Sequence, residues 1–573
     1  MGALKELNKY IRKYKGTMIL GALFLTASNF FLVWIPVLIR RTMDQVESLG
    51  EGDYNVPESF LDTLFTSEAA EILATNSLML IGTVMLYGIL LFATRQTLIV
   101  TSRKIEFDIR NDIVEKLMAL PQRYYAENAS GETYVRATED VGKVRDYYGP
   151  VIMYSINTVT RAGFVLTMMF LVNPELTFWA LIPLPLISFF AYWITGYIHK
   201  HSTIIQEQYS TLAGRAKETF SAIRLIKAYN RIDHEQQLFE DESESYRKKK
   251  LRLDMIESLF HPALNFLIGI SLLIVIWKGG EMVINETITV GNIAEFLIYV
   301  AYLIWPVAAL GYTTNRFQRS LASWHRIKEL MDEPVEIKDS EEKVDQEIEG
   351  LIEFKNVGFK YPGSSEMVLE NVNLSIQPGE NIAIVGRTGS GKSTLVQLIP
   401  RLFDPTEGQI LLDGIDLKKW SLRKVRDAIG FVPQETFLFS DTIGDNIAFG
   451  VEKKFKTMLG ERGITLSGGQ KQRTAIARAL IKDPKILIFD DSLSAVDTKT
   501  EDAILKHLRQ ELSGRSTIMI SHRISTIKDA DKIYYVEEGR IAESGTHEDL
   551  LAKKGRYTAM YNKQLLEQEL AEI

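Results

Sequence analysis

Six apolar runs, each close to the length of a bilayer-spanning helix and all within the first 310 residues, constrain this 573-residue chain more than any other feature. They cover residues 18–39, 76–100, 151–172, 176–198, 259–277 and 293–310, and none carries more than one or two ionisable side chains. A hydrocarbon core takes about 20 apolar residues per helix and offers no water to an unpaired amide, so such runs must be helical. Beyond residue 350 the pattern changes to short β-rich runs broken by glycine and polar turns. The reading is an all-α, six-span membrane domain at 1–333, a polar acidic linker at 334–350 and an α/β domain at 351–573.

Charge outside the spans sets their orientation. Residues 44–71 are acidic and lack Lys and Arg, whereas 103–145 and 199–252 are long and rich in both. The positive-inside rule places those two segments in the cytoplasm together with both termini, as an even number of spans requires. Residues 102–120 and 205–228 stay amphipathic, so the spans are expected to continue past the lipid as long helical extensions. Each pair is expected to meet at a short turn, near 121–130 and near 215–222, suited to touching a cytoplasmic domain. The links Asn173-Pro174-Glu175 and 279–291 are short enough to force antiparallel neighbours. Residues 1–15 form a charged amphipathic stretch without a leader-type cleavage site, and 561–573 reads as a solvated acidic helix. The triplet Asn128-Ala129-Ser130 matches a glycosylation acceptor but falls on the cytoplasmic side.

Arg95, Arg161, Glu257, His261 and Glu295 lie in or near the apolar runs, where charge is costly and often functional; several are expected to snorkel to the interface instead. Aromatic and Met side chains spread from Phe30 to Trp305 could line a hydrophobic pocket, though helix packing and lipid contact account for most such residues. The net charge of −7 without a basic block gives no support for a nucleic-acid partner, and the absence of cysteine excludes disulfides, thiolate metal sites and cysteine nucleophiles.

In the second half, the β-run Asn381-Ile382-Ala383-Ile384-Val385 leads into Gly386-Arg387-Thr388-Gly389-Ser390-Gly391-Lys392-Ser393-Thr394 and then a helical stretch. This is the phosphate-binding loop spacing in its required strand–loop–helix setting. Glycines let backbone N–H groups curl around phosphates, Lys392 is placed to reach the β- and γ-phosphates of ATP, and Ser393 to ligate Mg²⁺. The strand Ile486-Leu487-Ile488-Phe489-Asp490 ends in a carboxylate suited to the same metal.

Leu466-Ser467-Gly468-Gly469-Gln470 then adds a helix-opening, glycine-rich turn, and with it the chain resembles the ATP-binding cassette (ABC) superfamily, of which this run is the signature. Six spans followed by one cassette resemble an ABC exporter half-transporter. The resemblance implies that Tyr361 stacks on adenine, that Gln434 links Mg²⁺ to the membrane domain, and that Asp497 lies in the D-loop. It also implies that His522 contacts the γ-phosphate, and that the two cytoplasmic turns are coupling helices. In this family the signature faces the partner's phosphate-binding loop, so two cassettes sandwich two ATP molecules and the chain must pair.

Two departures stand out. The family places a glutamate after the metal-binding aspartate, as general base; here it is Asp491, its carboxylate drawn back by one C–C bond, ~1.5 Å. Misplacement by ~1 Å can cost ~10²-fold in rate. Because the signature is intact, this pattern resembles the degenerate-site subunit of a heterodimeric exporter, in which Ser467, Gly468, Gly469 and Gln470 complete the partner's site. The stretch between Gln434 and Leu466 is also shorter than the family's, which is read as residues absent from the chain as given rather than a natural deletion.

The expected function is ATP-driven export of hydrophobic or amphipathic compounds, with a second, different half-transporter chain and the lipid bilayer as partners, in a bacterial inner membrane. A homodimeric lipid or peptide exporter using Asp491 as base, and an ATP-gated regulator without net pumping, are the competing readings.

Overall fold

The computed structural model describes residues 2–50, 68–340, 344–451, 467–492, 504, 506–508 and 514–572. It forms two compact units, Met1–Lys116 with Gly131–Asp332, and Leu117–Ser130 with Glu333–Ile573.

The first unit is helical. Five of its helices among the described residues are long and apolar enough to cross a membrane: Lys15–Ser48, Glu71–Ala119, Ser130–Val172, Asn265–Ile284 and Val290–Asp332. The fourth expected span falls on two successive helices, Pro174–Leu181 and Pro183–Ser221. The tight turn before it forms as expected: Asn173 caps Pro174–Leu181, its side chain accepting the Leu176 N–H at 2.9 Å, and Pro174 opens that helix where no N–H is needed. The next hairpin is tighter than expected. The helix Ile232–Ile284 runs on past Gly279 and Gly280, leaving only 285–289 as loop before Val290. Gly279 lies against Ile293, where a Cβ would come within 2.9 Å, so the close approach that glycine permits carries the helix through.

The extensions beyond the apolar runs are helical, and the first turn lies where expected, as the helix Gln122–Glu127 opened by Pro121. It belongs to the second unit, in which Arg123 pairs with Glu333 and Glu336, each at 3.0 Å. The second turn lies beyond the expected 215–222: Pro183–Ser221 continues to its end, and the short helix Ile223–Ala228 makes the corner. Residues 215–222 contain no Gly, Pro or Asn, so they keep helical hydrogen bonding until Asn230 takes up a left-handed conformation at φ 52°.

The second unit contains two sheets. Strands β1 (Ile352–Phe359), β2 (Leu369–Ile376), β4 (Glu407–Leu412) and β5 (Ile415–Asp416) form an antiparallel sheet in the order β2-β1-β4-β5. Strands β3 (Asn381–Gly386), β6 (Ile429–Val432), β7 (Ile486–Asp490), β8 (Ser516–Ile520), β9 (Lys532–Glu537) and β10 (Arg540–Gly545) form the other, ordered β10-β9-β3-β8-β7-β6. Apart from β10 its strands are parallel. Alternation along β3 and β7 explains how the sheet is buried on both faces. Ile382, Ile384, Ile486 and Ile488 enter one apolar core, while Ala383, Val385, Leu487 and Phe489 enter another on the opposite face.

Candidate nucleotide-binding site

Parallel register brings the sequence landmarks to one edge. Ile384 pairs with Ile520 and Ile520 with Asp490, so β3, β8 and β7 end at the same height. From those three ends emerge Gly386 and its loop, Ser521-His522, and Asp490-Asp491. On β6, Val432 pairs with Phe489, which puts Gln434 at the level of Asp491, exposed beside the edge. The carboxyl ends of parallel strands are where open α/β sheets bind ligands.

The loop is shaped by glycine. Gly386 has φ 150°, and a Cβ there would stand 2.1 Å from the Val536 carbonyl oxygen. Gly391 is left-handed at φ 97° and opens the helix Lys392–Gln397. Arg387, Thr388 and Gly389 are exposed at the crown of the loop, whereas Ser390, Lys392 and Thr394 are buried. The Ser390 Oγ, within the phosphate-binding loop, is buried and has no partner among the described residues. Lys392 Nζ donates to the carbonyls of Gly386 at 3.0 Å and Arg387 at 2.8 Å. Burial lowers the lysine's pKa, against the pull of Asp491 and Asp490.

Ser393 Oγ donates to Asp490 Oδ1 at 2.9 Å, joining loop and β7 directly. Hard oxygens are the right donors for Mg²⁺, which takes one or two protein carboxylates and completes its shell with phosphates and water. Asp491 is 8% exposed, sits at φ 45°, and donates its N–H to the Ile520 carbonyl. Its carboxylate accepts the His522 N–H, and burial raises the pKa of both aspartates above the usual carboxylate range.

Tyr361 sits beside the loop: its hydroxyl lies 3.0 Å from Thr394 Oγ1, and its ring meets Phe359 and Phe403 edge-on. Ser467 caps the helix Gly468–Leu480 in a capping box, accepting the Gln470 N–H while Gln470 Oε1 accepts the Ser467 N–H at 2.8 Å. Ser467, Gly468 and Gln470 are exposed, presenting that helix start to solvent, with Gly469 half-buried. Leu466, Asp497 and residues 452–465 of the shortened stretch lie outside the described residues.

One participant escaped sequence reasoning. The terminal segment, expected to be a solvated acidic helix, is part of Arg556–Glu572, whose Gln564 bridges the His522 loop. Its Oε1 accepts the Ile524 N–H at 3.0 Å and its Nε2 donates to the His522 carbonyl. Tyr557, the second residue of the same helix, is fully buried, anchors it in the core and was the available signal.

A phosphate-binding loop, a strand-end carboxylate and an exposed glycine-rich helix start on one α/β unit, fused to membrane-crossing helices, define a membrane-coupled nucleotide hydrolase. Residues 18–307 match the ABC transporter transmembrane region, and residues 369–494 match the ABC transporter family. The chain is 32% identical to the probable multidrug resistance ABC transporter ATP-binding/permease protein YheI of Bacillus subtilis (strain 168), across 98% of each. It is 34% identical to the multidrug resistance-like ATP-binding protein MdlA of Escherichia coli (strain K12), covering 86% of this chain and 88% of that one. A bacterial Atm1-family ABC exporter solved with ATP bound aligns at TM-score 0.72 and 25% identity, over 97% of this chain and 99% of that one. The chain belongs to the ABC transporter family, as a half-transporter of the exporter type whose cassette binds and hydrolyses ATP in step with transport. Exporters of this family act as dimers within the membrane.

Proposed function

We propose that this chain is the subunit of a heterodimeric bacterial inner-membrane exporter whose own ATP site binds nucleotide but hydrolyses it slowly, and that the cargo is a hydrophobic or amphipathic compound. The cargo reading is supported by the multidrug relatives of both Bacillus subtilis and Escherichia coli. The observation that carries the weak-site reading is Asp491: a short carboxylate at the general-base position, already engaged by the His522 N–H.

In this reading Ser390 and Lys392 hold the phosphates, Tyr361 the adenine, and Ser393, Asp490 and Gln434 the Mg²⁺, which supplies charge screening for the transferred phosphoryl group. His522 senses the γ-phosphate. Asp491 falls short of the attacking water by about one C–C bond, ~1.5 Å. The exposed Ser467–Gln470 helix start completes the site on the partner cassette, where a full-length glutamate does the work.

The test is ATPase activity of this chain alone and with a co-encoded exporter subunit. Negligible activity alone, with strong activity of the pair that survives Asp491→Asn, is the expected result. Asp491→Glu is expected to raise turnover at this chain's own site by ~10–10²-fold. Robust activity alone that Asp491→Asn abolishes would make the chain a homodimer using aspartate as base.

A further inference from the structure

We infer that the membrane unit carries an anion subsite at mid-bilayer depth, built around the Arg161 guanidinium on the Tyr302 ring, which receives the negatively charged head of an amphipathic compound. This deepens the export reading and rests on it.

Depth is the first reason. Arg161 sits about 15 Å along the helical rise from either end of its apolar run, 151–172, too far for the side chain to snorkel out. Tyr302 and Asn29 are equally central in the runs 293–310 and 18–39. The arginine is half-buried, its guanidinium carbon 5.9 Å from the Tyr302 ring centre.

Lack of compensation is the second. Glu295, the buried charge of the run 293–310, is matched by Arg40 at 3.0 Å. Arg161 joins no ion pair among the described residues, and its Nε is buried without a partner. One turn before it, on the same helix face, the Thr158 Oγ1 is likewise buried and unpaired. A charge in hydrocarbon is costly, and a cation held there without a carboxylate is set to receive an anion.

The surroundings give the ligand its shape. Asn29 Nδ2 donates to Asn157 Oδ1 at 2.9 Å and to Thr160 Oγ1 at 2.7 Å, a polar layer joining two helices at the same depth. Beside it Phe30 stacks on Trp34 and meets Phe164 edge-on, each with ring centres 6.0 Å apart. A guanidinium offers forked donors that match carboxylate, sulfonate or phosphate, and here its Nε is left without a partner among the described residues. The aromatic side suits an apolar body. A cationic amphiphile meets like charge here.

The test uses the full exporter dimer in lipid nanodiscs, with cholate and its uncharged methyl ester as probes of ATPase stimulation. Cholate is expected to half-saturate at the lower concentration. Arg161→Met is expected to raise that concentration about tenfold, equivalent to about 1.4 kcal/mol, and to leave the methyl ester unchanged. Arg161→Lys should retain most of the preference. Equal shifts for acid and ester, no shift, or no response to cholate in the wild type each overturn the subsite. In discs with phosphatidylglycerol in place of some phosphatidylcholine, an Arg161-dependent rise in basal ATPase marks a lipid head as the occupant; cholate dependence alone marks a soluble amphiphile. Photo-crosslinking of a diazirine cholate to the wild-type dimer should label 151–172 or 293–310 whether or not the variants assemble, and labelling elsewhere only overturns the proposal. Stimulation by a neutral or cationic dye with cholate inert removes the anion preference and leaves export standing. If no compound is moved or stimulates, the export reading itself fails.

Discussion

Both units of this chain bury charge, but they do so to opposite ends. In the membrane unit Glu295 is fully buried and answered on two sides: Arg40 donates to it at 3.0 Å and the Tyr299 hydroxyl at 2.9 Å, while the same hydroxyl lies 3.1 Å from the Val33 carbonyl. The cluster binds the first apolar helix to the last and leaves nothing for a ligand to satisfy. At the cassette edge, Lys392, Asp490 and Asp491 are buried in one small region, yet burial drives the lysine's pKa down and both aspartates' pKa up despite their mutual attraction. The buried lysine and aspartates gather at the strand ends where a ligand can reach them, whereas Glu295 and Arg40 tie two helices together.

Glu295→Ala offers the hardest test of that contrast. Removing the carboxylate leaves the partly buried Arg40 with only Asp44, 4.0 Å away, and a loss of up to about 3 kcal/mol is expected, read as a drop in thermal unfolding temperature in detergent. Replacing both partners by methionine should recover most of it. A Glu295→Ala protein as stable as the parent would show that the pair is not structural.

Lys392→Met sharpens the other side. It should leave folding nearly intact, since the lysine is paired only with loop carbonyls, while ATP affinity at this chain's site falls by ~10²-fold, about 2.7 kcal/mol. Nucleotide titration of the purified dimer measures it, and unchanged affinity would move the phosphates away from this loop.

The smallest effect expected is on stability. Asp490→Asn removes an anion buried at a cost, so the cassette should melt a few degrees higher at pH 7 while losing activity. The sign follows from the raised native pKa: the native state holds the proton more tightly than the unfolded chain, so the wild type gains stability as pH falls through the raised value. The advantage of Asp490→Asn should therefore shrink toward about pH 4, near the unfolded pKa of aspartate. Scanning calorimetry across that range checks it, and an advantage independent of pH would contradict the burial argument.

How much was legible in the sequence depended on the range of the interaction. The loop from Gly386 to Thr394 could be read because its chemistry is local: glycines where the backbone must turn left-handed or approach Val536, and a lysine and a serine a fixed number of bonds beyond. The apolar runs and the short link at 173–175 were legible for the same reason. The second cytoplasmic corner was misplaced because nothing between 215 and 222 breaks a helix, and the Gln564 bridge was missed because a half-exposed glutamine carries no periodic signal.

By itself, then, the sequence determined a membrane-crossing helical half, a nucleotide-binding α/β half, and the aspartate that stands where a glutamate is expected. Tertiary structure decided which distant residues meet. It set β8 between β3 and β7, so that the His522 backbone N–H reaches Asp491; it closed Arg40 onto Glu295 across 255 positions of chain; and it left Arg161 near a tyrosine, with no carboxylate partner among the described residues. Periodicity and turn chemistry act over a few residues and are written in the order of the chain. Compensation of a buried charge depends on packing between elements far apart in sequence, and only the folded arrangement fixes it.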